Sequence, residues 1–124
     1  MKPLFHPSVE DMTVEAILHA LSDPVRVAIF AEMAGSSRAS NCSSFLQVRG
    51  NAVPKSTLSQ HFNVLRDAGL IRSVRQGIQM QNTSRCQEIE KRFPGLIPAI
   101  VGALQTQLKG KTRSGGAGKT KNAP

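Results

Sequence analysis

A mainly α-helical domain with a small β-hairpin is predicted by the sequence, on three observations. Leu58, Phe62 and Leu65 recur at helical spacing and make one apolar stripe, while Ser56, Ser59, Gln60 and Asn63 gather on the opposite face. From Ile71 to Gln81 the period changes to two, broken by Gln76 and Gly77. Positive charge is concentrated over the same stretch: residues 49–85 hold six Lys and Arg against Asp67 alone, a net of +5, whereas residues 1–36 carry a net of −3.

A polar-faced helix followed at once by a basic hairpin is the pattern of a winged helix-turn-helix, here with five or six helices and a two-stranded wing. Pro54 suits the first turn of the helix because it has no N–H to leave unpaired, and Gly69 suits the left-handed position past its last turn. The hairpin is expected to run as Ile71–Arg75, a turn at Gln76-Gly77, and Ile78–Gln81.

The remaining elements follow from the same rules. Met12, Ala16, Ile17, Ala20 and Leu21 predict a first helix over 10–21, with Glu10, Asp11 and Glu15 near its positive end. Asp23-Pro24 is an N-cap followed by a first-turn proline, opening a second helix that buries Val27, Phe30, Ala31 and Met33 and stops at Gly35. A polar loop leads to a positioning helix over 41–48, and Gly50-Asn51 separates it from the polar-faced helix. Ser84-Arg85-Cys86-Gln87 has the spacing of a capping box and opens a short helix through Arg92, which Phe93-Pro94-Gly95 ends. Leu96, Ile97, Ile100, Val101, Leu104 and Leu108 then form a wide apolar stripe on a nearly uncharged helix. A face that broad suits a dimer interface, and its alternative is packing on the domain's own core. The chain divides into an arm at 1–9, one domain at 10–108 and a basic disordered tail at 109–124, where five Lys and Arg meet no acid among several glycines.

The charge points to a polyanion, and the helix and hairpin point to duplex DNA. Ser56, Ser59, Gln60 and Asn63 offer hydrogen-bonding groups to base edges. Lys55 and Thr57 flank them as phosphate contacts, while His61 either joins these or packs beside Val64. Arg72, Arg75 and Gln76 place charge and polarity on the wing for phosphate or the minor groove. The rival readings are a protein-interaction module or an RNA binder, the latter disfavoured by the lack of Trp and Tyr for base stacking.

Other classes find little support. Gly118-Lys119-Thr120 lacks the earlier glycine of a phosphate loop, and His6, His19 and His61 have no adjacent nucleophile and carboxylate, so no enzyme is expected. Two cysteines are too few for a disulfide scaffold; Cys42 and Cys86 are instead a candidate redox pair. With neither a signal-peptide pattern nor an apolar run of the roughly 20 residues that spans a bilayer, a cytoplasmic protein is expected.

With these segments placed, residues 10–108 resemble the ArsR/SmtB family of winged-helix transcriptional repressors of bacteria and archaea. The resemblance is carried by ALSDPVRVAIF at 20–30 and KSTLSQHFNVLRDAGLIRSVRQG at 55–77. FHPS at 5–8, CSSF at 42–45 and RFPGL at 92–96 are similar to a subgroup whose inducers are generally unassigned. The family implies a cytoplasmic homodimer, nucleoid-associated when bound, held by its first and last helices with Ile17 and Leu21 adding to the stripe of the last. It also implies binding to a palindromic promoter operator, exclusion of polymerase, and release by a small-molecule inducer. The sequence departs from the family's metal sensors, because Cys42-Ser43-Ser44 stands where they carry a Cys-Val-Cys-type motif. Leu96–Leu108 contains no Asp, His or Glu to ligate zinc, so neither metal nor cofactor is expected.

Overall fold

The computed structural model describes residues 4–35, 47–48 and 51–117. Its elements are a 3-10 turn Val9–Asp11, α1 Val14–Ala20, α2 Pro24–Ala34, β1 Gln47–Val48, β2 Asn51–Ala52, α3 Lys55–Asp67, β3 Ile71–Gln76, β4 Gln79–Ser84, α4 Cys86–Arg92 and α5 Leu96–Ala117. Helices plus an antiparallel β3–β4 hairpin make the winged helix-turn-helix expected from the sequence.

α1 starts later than the apolar spacing suggests. Thr13 is extended and its hydroxyl accepts from the Ala16 N–H, so it caps a helix that begins at Val14. Met12 therefore lies ahead of the helix and is buried beneath Gly69. α2 begins as expected: Asp23 Oδ1 accepts from the N–H groups of Val25 at 2.8 Å and Arg26 at 3.1 Å. Its buried side is Ile29, Phe30 and Met33, with Val27 and Ala31 only half-buried.

The positioning helix expected over 41–48 lies mostly outside the described residues. Its last two positions, Gln47 and Val48, are strand, paired with Ala52 and Asn51. α3 buries Leu58, Phe62, Leu65 and Arg66 and packs against α1, α2 and β3, while its first turn stands exposed. Pro54 falls one residue before the helix, in the capping position, where its carbonyl accepts from the Leu58 N–H. Gly69 takes φ +89°, and a Cβ there would meet Met12 and Pro7 side-chain carbons at 3.0–3.3 Å. It is held by backbone conformation and by space together.

The wing is longer than expected and its turn is shifted by one residue. Gln76 pairs with Gln79, so the tip is Gly77-Ile78, with Gly77 at φ +62° and Ile78 98% exposed. The Ser84 capping box does not form, because Ser84 is still strand, paired with Ile71, and α4 has no side-chain cap. α5 continues past Leu108 to Ala117, beyond the point where the sequence places a disordered tail. Ile97 and Leu104 are buried; Leu96, Ile100, Val101 and Leu108 are half-buried. Among the described residues no helix is long and apolar enough to cross a membrane.

One core unites these elements, built from Met12, Ile17, Ala20, Leu21, Ile29, Phe30, Met33, Leu58, Phe62, Leu65, Leu70, Ile71, Ile89 and Ile97. Ile17 and Leu21, expected on a dimer surface, are thus inside the protomer. The apolar residues that α1 leaves outside are Val14 and Leu18, 37% and 48% exposed.

Candidate nucleic-acid interface

The polar face of α3 and the wing provide the candidate surface. Lys55, Ser56, Thr57, Ser59, Gln60 and Asn63 are exposed along one helix, and Arg72, Arg75 and Gln76 are exposed on β3. Its donors, acceptors and cations match what base edges and phosphates require.

A buried polar chain fixes the angle between helix and wing. Arg66, only 8% exposed, donates from Nε to Ser73 Oγ at 3.0 Å, and that hydroxyl donates to Asn82 Oδ1 at 2.6 Å across the β3–β4 pair. Arg66 also donates to Asn63 Oδ1 at 2.8 Å. Such a network costs desolvation unless every group is bonded, and in return it specifies one orientation. It bears on two expectations. Arg66 is part of the fold's interior rather than of the basic surface, and Asn63 is oriented by it, its Oδ1 spending one of two lone pairs on the guanidinium and keeping the other, with the amide N–H groups, for an adenine.

His6 and Pro7, in the segment ahead of the first helix, bond to the base of the wing. His6 Nε2 accepts from the backbone N–H of Ser73 at 3.0 Å, so the His6 proton must sit on Nδ1. Burial, then the nearby charges of Arg72, Arg66 and Arg85, push the His6 pKa below its ordinary value. Arg85 is buried, donating from NH1 to Pro7 O at 2.8 Å and pairing with Glu88 at 2.7 Å. Arg72 pairs with the same carboxylate at 3.2 Å. Hydrogen bonds from Arg85 and, against some desolvation, from Arg72 bring the Glu88 pKa to about 2. Arg72 is therefore shared between Glu88 and any phosphate, whereas the Arg75 side chain has no hydrogen-bond or ionic partner among the described residues.

Ser73, Asn82, Arg66 and Arg85 are buried polar supports of the candidate surface that the sequence reading passes over. A signal was present for two of them. Ser73 follows Ile71 on the inward face of β3, where strand alternation leads one to look for an apolar residue, and Arg66 sits beside Leu65 on the buried side of α3.

The candidate redox pair is only half visible: Cys42 lies outside the described residues, and Cys86 is half-buried at the start of α4. Among the described residues no three His, Cys, Asp or Glu side chains gather in a metal-binding group.

A recognition-type helix, a preceding helix packed across it and a basic hairpin define a winged helix-turn-helix protein. A helix-turn-helix domain family matches residues 21–74. Among solved structures the chain is similar to an ArsR-like transcriptional regulator from Rhodococcus sp. RHA1, at 22% identity over 85% of this chain and 93% of that one, with a TM-score of 0.53. It is also similar to the transcriptional repressor BigR from Xylella fastidiosa, at 24% identity over 75% of this chain and 83% of that one, with a TM-score of 0.55. A third likeness is to M. tuberculosis Rv0081, at 23% identity over 79% and 90% of the two chains, again with a TM-score of 0.55. No curated protein matches the chain. The chain carries a helix-turn-helix domain and has the winged fold of the ArsR-like regulators.

Proposed function

We propose that the protein is a sequence-specific DNA-binding transcriptional regulator, a homodimeric repressor that occupies a palindromic promoter operator and leaves it in response to an inducer or a thiol modification. The observation that carries this reading is the exposed polar face of Lys55, Ser56, Thr57, Ser59 and Gln60 on α3, together with exposed Arg75 and Gln76 on a wing tied to α3 through Arg66, Ser73 and Asn82. Lys55 and Arg75 attract the phosphate backbone, and Ser56, Ser59 and Gln60 address base edges. The two structural relatives described as a transcriptional regulator and a transcriptional repressor support the same class.

Dimerisation is supported by apolar surface that the protomer leaves uncovered: Val14 and Leu18 on α1, with Leu96, Ile100, Val101 and Leu108 half-covered on α5. A two-fold pairing of these helices would present two reading helices to a palindrome. Footprinting of the DNA around the protein's own gene, with and without thiol oxidants and a metabolite panel, tests target and signal together. Protection of a palindrome supports the reading; protection of no duplex at low salt ends it.

A further inference from the structure

Arg26 is the residue of α2 that reaches two other helices. Its Nε donates to Ala20 O at 2.7 Å, and its NH2 lies 3.4 Å from His19 O, which also accepts from the Ser22 N–H and hydroxyl, so the guanidinium closes the last turn of α1. Its backbone N–H is held by the Asp23 cap, so the side chain leaves α2 from a fixed point. The remaining terminal nitrogen, NH1, lies 3.4 Å from His61 Nδ1 on α3.

This contact has only one chemical sense. A guanidinium has donors and no acceptor, so Nδ1 must be the accepting nitrogen and the ring proton must reside on Nε2. His61 is half-buried, and its Nε2 has no hydrogen-bond partner among the described residues. Helical side chains lean toward the N-terminus, which carries the His61 ring toward Thr57, at the exposed end of α3 with Lys55 and Ser56. Building on the DNA reading above, we infer that Arg26 positions His61 in the Nε2–H tautomer so that the imidazole donates a hydrogen bond to a phosphate oxygen beside α3. The two-sided grip also ties the register of α3 to the end of α1.

Long-range proton–nitrogen NMR of the imidazoles, on the whole chain with and without a short mixed-sequence duplex, tests this. In the free protein His61 shows a pyrrole-type Nε2 and a pyridine-type Nδ1, and the Nε2–H signal moves when duplex is added. His61→Ala binds all duplexes about tenfold more weakly, the scale of one hydrogen bond to a charged group. The salt slope stays unchanged, because a neutral donor releases no counterion. His61→Gln, which can place an N–H near the Nε2 position, recovers part of the loss, and His61→Asn does not. Arg26→Lys keeps the charge but lets the tautomers mix. Because Arg26 also closes α1, the His61 variants decide the matter if that variant folds poorly. An Nδ1–H tautomer in the wild type, or wild-type affinity in His61→Ala, overturns the inference while leaving the DNA reading intact. Failure of the wild type to bind any duplex removes both.

Discussion

At Gly69 two separate constraints fall on one residue. Its φ of +89° disfavours a side chain, and the Met12 and Pro7 carbons occupy the place a Cβ would take. Gly69→Ala is expected to lower unfolding stability by roughly 1–3 kcal/mol, as seen in a shifted urea midpoint. The exposed residues of the reading surface divide differently. Arg75→Ala should weaken binding to every duplex and reduce the salt slope by about one, since one phosphate contact is lost. Gln60→Ala should instead relax preference at a single base pair, at roughly 1–3 kcal/mol of discrimination; equal losses on operator and random DNA would contradict its role. Asn63→Ala is less informative, because it also strips Arg66 of an acceptor.

Among the elements, α2, α3, the wing and α5 were legible because each follows from local rules: a cap at Asp23, a 3.6-residue stripe over Leu58–Leu65, alternation after Ile71, and a wide apolar stripe with almost no charge after Leu96. What was not legible depends on partners remote in sequence. Ile17 and Leu21 look the same on a helical wheel whether they face a second protomer or α3, and only the packing places them inside. Likewise Arg85 reads as surface charge until Pro7 O and Glu88 enclose it. The wing's attachment to the arm gives a pH prediction of definite sign. Unfolded chain takes up a proton at His6 near the ordinary value of 6.5, while the folded form resists it, so stability falls as pH drops below that value. Glu88 adds a second loss of the same sign, beginning near 4.5 and complete near about 2. Melting temperature measured against pH should therefore decline in two steps, and His6→Gln should flatten the first while sparing the second.

For the whole molecule, charge is arranged by region. The acidic excess of residues 1–36 and the basic excess of 49–85 orient the protein toward a polyanion, even though Arg66 and Arg85 are turned inward. The uncovered apolar surface of α1 and α5 sets the assembly prediction: Leu18→Glu should sediment as a monomer and lose operator affinity far more than random-duplex affinity. Persistence of the wild-type mass would place the dimer contact elsewhere. One detail of the arm bears on a hazard of a different kind. β3 is bonded to β4 on one edge, and on its other edge the outward N–H of Ser73 is occupied by His6 rather than left open. An uncovered strand edge is a template for pairing with other chains. The arm therefore acts as an edge guard, and a chain starting at Val9 should show concentration-dependent light scattering at a neutral pH where the intact protein stays clear.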